Sequence, residues 1–131
     1  MKRLLYKKLL KWKDDSHKKP LILLGTRQVG KTYLLKTFGK KEYNKSFHFD
    51  FDREREILIP IFEKSIAPIK IINNLSILRN QKIDLTKDLI IFDEIQQCPK
   101  ALNSLKYFNE DYPGASICAA GSLLGISLSS E

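Results

Sequence analysis

The 131-residue chain is 43% hydrophobic and 29% charged, a composition typical of one globular domain. Lysines interrupt the apolar residues of its basic N-terminus, and no apolar run approaches the roughly 18 residues that a membrane span needs. These features argue against a membrane protein and a secretory signal, so we predict a cytoplasmic protein. Cys98 and Cys118 lack metal-ligand spacing and are predicted to be free thiols.

The net charge of +8 is concentrated near the N-terminus. Residues 1–45 contain 14 Lys/Arg and 3 Asp/Glu, whereas residues 46–131 contain 9 and 12. This asymmetry suits a nucleic-acid partner, but it also suits a segment that meets a triphosphate. Lysine outnumbers arginine by 18 to 5, and arginine is the better reader of phosphates and bases. A solvated basic face is therefore the simpler interpretation.

The first elements predicted along the chain are a helix, a loop and a strand. Residues 2–13 carry leucines at helical spacing opposite a lysine face, and we interpret Tyr6 and Trp12 as docking contacts of this helix rather than as an adenine platform. The polar residues 14–20 predict a loop. The wholly apolar run Leu21–Leu24 predicts a strand that is buried on both faces.

The later segments alternate helices with strands. A helix is predicted over residues 31–38 and is expected to stop at Gly39, while Pro60 and Pro68 are expected to divide a mostly helical stretch over 53–80. The apolar or alternating patterns of three further segments predict strands, at 46–51, 89–92 and 116–120, and a helix is predicted at 99–111. This alternation predicts an α/β domain with a parallel sheet and helices on both faces.

The segment from Gly25 to Thr32 fits the phosphate-binding pattern G-x-x-x-x-G-K-[ST]. Its glycines let the backbone wrap closely, so that successive N–H groups point at phosphate oxygens, and the next helix offers its positive end to the same anion. Lys31 is placed to reach the β- and γ-phosphates and the Thr32 hydroxyl to ligate Mg²⁺. The residues predicted to contact the nucleotide belong to this loop and the first helical turn: Gly25, Thr26, Arg27, Gln28, Val29, Gly30, Lys31, Thr32 and Tyr33.

Two acids follow the predicted strand at 89–92. An apolar strand that ends in a carboxylate is the form in which an aspartate holds the Mg²⁺ that bridges the phosphates, so Asp93 is a predicted metal ligand. The adjacent Glu94 is predicted to orient and deprotonate the attacking water. The alternative for Glu94 is a helix-capping or solvated acid.

Further polar residues are weaker candidates. Ser122 ends the predicted fourth strand, where ligands lie in open parallel sheets, so it is a candidate sensor of the γ-phosphate or an ordinary loop start. His48 lies in an aromatic strand and is predicted to be packed or hydrogen-bonded rather than catalytic. Gln96 either faces the nucleotide or begins the next helix.

Taken together, these segments resemble a family of bacterial and archaeal AAA-type ATPases, which pair an N-terminal P-loop domain with a C-terminal domain of uncertain role. The resemblance covers nearly the whole chain and rests most on Arg-Gln-Val-Gly-Lys-Thr at 27–32 and Asp-Glu-Ile-Gln at 93–96. It implies ATP and Mg²⁺ as cofactors and an ASCE-type sheet in the order 5-1-4-3-2. It also implies a role for each matching residue: phosphate and magnesium binding for Lys31 and Thr32, magnesium binding for Asp93, catalysis for Glu94, and the sensor position for Ser122.

The chain departs from this family after its fourth strand, where such proteins continue with a fifth strand, a helical lid and a second domain. We therefore expect a basic amphipathic helix and loop over 1–19 and a truncated P-loop ATPase core over 20–131, without that fifth strand and lid. An apolar edge strand then favours self-association or a missing C-terminal domain.

The expected function is binding of ATP with Mg²⁺ and, in a complete form, its hydrolysis. One alternative is a nucleotide-binding remnant that does not hydrolyse ATP. The other is a nucleic-acid-binding module that uses the basic N-terminal third. A P-loop small-molecule kinase is less well supported, because such kinases do not need the Asp-Glu pair.

Overall fold

The computed structural model describes residues 2–25 and 29–122, which form a sheet with helices packed on both faces. The α-helices of these residues are α1 (Lys2–Asp14), α2 (Val29–Glu42), α3 (Arg55–Lys64), α4 (Pro68–Arg79) and α5 (Pro99–Asp111). The strands are β1 (Leu21–Gly25), β2 (Ser46–Asp50), β3 (Leu89–Asp93) and β4 (Ser116–Ser122), and a short 3₁₀ helix spans Ile95–Gln97.

The strands pair in the order β1-β4-β3-β2, and every pair is parallel. The predicted α/β class, the parallel sheet and the relative order of strands 1 to 4 are thereby confirmed. Gly25 pairs with Ser122, and Asp50 pairs with Asp93. Because parallel strands share their direction, these residues lie together at the carboxyl edge of the sheet, where ligands of open α/β sheets bind.

Each face of the sheet has its own apolar cluster. On one face, four phenylalanines that are fully buried pack with ring centroids 5.3 to 6.1 Å apart, namely Phe49, Phe51, Phe62 and Phe92. On the other face, Leu89 and Ile91 of β3 pack with residues of α1 and α2 such as Leu9 and Phe38. Successive side chains of a strand point to opposite faces, so β3 contributes to both clusters and is buried along its whole length.

Two predicted helix boundaries are wrong. Gly39 does not stop a helix, since α2 continues to Glu42. A Cβ atom at Gly39 would lie 2.7 Å from the Cβ atom of Ser46, so this glycine provides the close approach of α2 to the sheet. Pro60 lies inside α3 and does not divide it, because a helix can lose one backbone hydrogen bond when packing holds it. Pro68 begins α4 as expected.

Strand β1 is not buried on both faces, contrary to the prediction. Ile22 is 43% exposed and Leu24 is 39% exposed, whereas Leu21 and Leu23 pack against the cluster beneath α1 and α2. The reason is position, since β1 forms the edge of the sheet within the described residues. Self-association through this edge stays a prediction.

Helix α1 is docked by aromatic side chains, as predicted. The Tyr6 hydroxyl donates a hydrogen bond of 2.8 Å to Glu42, and Trp12 Nε1 donates one of 2.7 Å to the Lys19 carbonyl. Basic residues of α1, including Lys7 and Lys11, stay exposed, so nucleic-acid binding by this helix also stays a prediction. Among the described residues, no helix has the length and apolar character to cross a membrane.

Candidate active site

The phosphate-binding side of the site is formed by the first turn of α2. Lys31 Nζ donates to the Gly121 carbonyl at 3.4 Å, which holds the ammonium group between β1 and the end of β4. Tyr33, also predicted to contact nucleotide, is 69% exposed. The predicted contacts of Thr26, Arg27 and Gln28 lie outside the described residues, and of Val29 only the backbone is described. Lys31 thus lies beside the end of β4, and its predicted contact with the phosphates stays a prediction.

Asp93 occupies the end of β3 and uses both of its carboxylate oxygens. The Thr32 hydroxyl donates to Oδ2 at 2.7 Å, and His48 Nε2 lies 3.0 Å from the same oxygen. The backbone N–H of Glu94 donates to Oδ1 at 3.0 Å. Burial raises the pKa of Asp93, but the hydrogen bonds from His48 and Thr32 outweigh it, so this pKa lies below its ordinary value. The side chain is therefore an oriented carboxylate at neutral pH.

The oxygen atoms that Thr32 and Asp93 present at the end of β3 fit Mg²⁺. Thr32 and Asp93 bring a hydroxyl and a carboxylate oxygen within 2.7 Å of each other, and Mg²⁺ prefers oxygen ligands. The described residues contain no group of three or more His, Cys, Asp or Glu side chains arranged to hold a metal ion by themselves. A Mg²⁺ site of phosphate chemistry usually has one or two protein ligands and is completed by phosphate oxygens and water.

Glu94 follows Asp93 in an unusual backbone conformation. Its φ of 55° lies in the left-handed region, which costs a non-glycine residue free energy. Such residues occur at helix caps, as Asn80 does at the end of α4, and also cluster at functional sites. Gln96 Nε2 donates to Glu94 Oε1 at 2.7 Å, and Gln96 Oε1 accepts the backbone N–H of Ser122 at 3.2 Å. Glu94, the predicted base, and Ser122, the predicted sensor, are therefore hydrogen-bonded to the same Gln96 amide.

Five of the predicted site residues line one small pocket of about 20 Å³: Lys31, Thr32, Asp93, Glu94 and Ser122. A wider cleft of about 590 Å³ opens beside it along the end of β2, and its walls include Thr32, Lys36, Asp50 and Asp93. The residues that the sequence assigned to metal binding, catalysis and sensing therefore converge, although they come from α2, the end of β3 with the residue that follows it, and the end of β4.

The hydrogen-bond partner of His48 was not predicted from the sequence. The prediction of His48 as a hydrogen-bonded side chain is confirmed, but the partner is Asp93 itself. The available signal was the alternation in β2, where His48 and Asp50 are polar and Phe47 and Phe49 are apolar. The backbone of His48 is also held in place, because Arg79 Nη2 donates to its carbonyl at 2.7 Å. The same Arg79 nitrogen pairs with Glu54 at 2.8 Å.

Comparison with known proteins identifies the family. The model of a protein family described as an AAA domain matches residues 17–131, which is most of the chain. No curated protein and no solved structure matches the chain significantly. The family match and the parallel sheet agree with each other, and both agree with the nucleotide-binding ATPase type that the motifs indicate. The chain belongs to the AAA domain family.

Proposed function

We propose that this chain binds ATP with Mg²⁺ at the carboxyl edge of its sheet and that its AAA core hydrolyses the terminal phosphoanhydride bond. The observation that carries the proposal is the 2.7 Å hydrogen bond between Thr32 and Asp93, which lie 61 residues apart in the sequence. Such a contact places the hydroxyl of the phosphate-binding helix beside the carboxylate at the end of β3. This is the pair that holds Mg²⁺ in P-loop enzymes.

In the proposed mechanism, each side chain has one task. Lys31 neutralises charge on the β- and γ-phosphates, and Thr32 and Asp93 hold the metal. Mg²⁺ supplies charge neutralisation and orientation of the phosphate oxygens when it is bound. Glu94 accepts a proton from the attacking water, and the Ser122 hydroxyl contacts the γ-phosphate or that water. Phosphoryl transfer depends mostly on positioning and electrostatics, so fixed side chains suit this task.

A second candidate function is nucleotide binding without hydrolysis. The contact that favours it is the 2.7 Å hydrogen bond from Gln96, which uses one of the two Glu94 carboxylate oxygens, so that proton transfer from water would have to use the other. The two candidates share every binding residue and differ only in the fate of the bound ATP. Single-turnover measurement of ATP cleavage by excess protein separates them, because hydrolysis yields ADP from the bound nucleotide and the second candidate leaves it intact.

Binding itself is tested by calorimetry with MgATP. We expect Lys31→Ala to weaken the affinity by about tenfold or more, which is about 1.4 kcal/mol. Lys40→Ala is the matched control, since Lys40 is an exposed lysine of the same helix away from the site, and its affinity should equal that of the wild type. Equal affinities for wild type and Lys31→Ala would defeat the proposal.

A further inference from the structure

The side chain of Gln96 is buried between the end of β3 and the end of β4. Gln96 is only 5% exposed, although its amide is polar. Both ends of the amide are used, since Nε2 donates to Glu94 Oε1 at 2.7 Å and Oε1 accepts the Ser122 N–H at 3.2 Å. A buried amide whose donor and acceptor are both satisfied is held in one orientation.

These two partners also fix which way the amide faces. A flipped amide would place its N–H groups against the Ser122 N–H and its oxygen against the Glu94 carboxylate. Both contacts would be repulsive, so the nitrogen of the Gln96 amide must face Glu94 and its oxygen must face Ser122. Glutamine is the side chain that supplies a donor and an acceptor at this reach.

Gly121 makes room for the same amide. A Cβ atom at position 121 would lie 2.5 Å from Gln96 Oε1, a distance that no side chain tolerates without movement. A glycine inside a strand commonly marks a close approach by another group, and here that group is the Gln96 amide. A side chain at position 121 would therefore displace the Gln96 amide from its hydrogen-bonded position.

We propose that Gln96 is a positioning residue that couples the carboxylate of Glu94 to the Ser122 end of β4. Because the Gln96 amide is hydrogen-bonded to both groups, a displacement of the Ser122 backbone is expected to move the Glu94 side chain. A displacement of Glu94 is expected to move the Ser122 backbone in turn. The catalytic meaning of this coupling rests on the proposed function, in which Ser122 meets the γ-phosphate or the water and Glu94 activates that water. The coupling itself needs no nucleotide.

The coupling is tested by the amide resonance of Ser122 in ¹H–¹⁵N spectra of the nucleotide-free chain. Gln96→Met removes both hydrogen bonds while keeping side-chain length, so we expect the Ser122 proton resonance to move upfield. Glu94→Ala should also shift this resonance in the wild-type background. In the Gln96→Met background, the same Glu94→Ala change should leave it nearly unmoved. Equal shifts in both backgrounds would overturn the proposal.

Two further variants keep this test decisive. Gln96→Leu also removes both hydrogen bonds and keeps an apolar side chain in the same space, so it should likewise abolish the response of the Ser122 resonance to Glu94→Ala. If Gln96→Met fails to fold, this variant gives the answer alone. Gln97→Met is the control, because Gln97 contacts Arg55 instead, and it should leave the response intact.

Turnover supplies a separate readout. In a chain that binds and cleaves MgATP, Gln96→Met should lower kcat by about tenfold or more and change KM little, since it acts on water activation rather than on binding. A parallel rise in KM without loss of kcat would contradict a positioning role. Absence of nucleotide binding would defeat the proposed function and leave the spectroscopic test of the coupling unaffected.

Discussion

Two groups of residues in and after β3 are buried to a similar extent but are held by different interactions. One is the apolar segment Leu89–Phe92, and the other is the polar pair Asp93 and Gln96. The four apolar residues are at most 1% exposed and pack against both clusters of the sheet, whereas Asp93 and Gln96 are 4% and 5% exposed and are held by hydrogen bonds. Apolar burial contributes stability in proportion to area. A buried polar group contributes little net stability and fixes geometry instead. Similar burial therefore serves stability in one segment and positioning in the next.

The largest expected effect lies in the apolar segment. Phe92→Ala should destabilise the chain by about 3–5 kcal/mol, because it removes a ring that contacts three other phenylalanines and leaves a cavity. Denaturant unfolding followed by circular dichroism measures this change. A loss smaller than that of Asp93→Asn in the same assay would break the comparison between the two segments.

Glu94→Gln should act on turnover alone. The substitution keeps the size of the side chain and removes its capacity to accept a proton, so we expect cleavage of bound ATP to fall about 100-fold or more. Affinity for MgATP should stay within about twofold of the wild type. Calorimetry and single-turnover assays on the same preparation make the distinction, and a loss of affinity as large as that of Lys31→Ala would contradict the assignment of Glu94 as base.

A smaller effect concerns the pH dependence of stability at Glu54. Burial raises the pKa of Glu54, but hydrogen bonds from Arg79 and the Asp50 backbone lower it more, so the folded-state pKa lies below its ordinary value. The stability that this adds is therefore present above the unfolded-state pKa, about 4.3, and is lost as the pH falls through the folded-state pKa.

Replacing this acid should accordingly flatten the acid limb of the stability curve. Glu54→Gln is expected to reduce the loss of stability between neutral pH and about pH 3, and Glu56→Gln, at an exposed acid nearby, serves as the control. Thermal unfolding across this pH range measures both. Identical acid slopes for the wild type and Glu54→Gln would show that the Arg79–Glu54 pair has no such role.

The sequence predicted the parts of the fold that depend on local pattern. Wholly apolar runs identified β1 and β3, and Asp93 and Glu94 lie at the carboxyl edge of the sheet because parallel strands share a direction. The same patterns could not reveal contacts that depend on register. The pairing of His48 with Asp93, and the placement of Gln96 against Gly121, require knowing which strands are neighbours.

The errors have the same origin. Gly39 carries the local signature of a helix end, but its close approach to Ser46 explains the glycine, and α2 continues. Likewise, Leu21–Leu24 has the composition of an interior strand, and its position at the edge of the sheet, among the residues that the structure describes, explains why alternate side chains are exposed. Tertiary contacts override local propensity at such positions.

The most direct test of the account is the Mg²⁺ dependence of ATP affinity in wild type and Asp93→Asn. Calorimetry in Mg²⁺ and in EDTA gives two affinities for each protein, and their ratio tests the proposed Mg²⁺ site at Thr32 and Asp93. We predict that Asp93→Asn lowers this ratio about tenfold or more and leaves the affinity in EDTA nearly unchanged. An unchanged ratio in the variant would contradict the account.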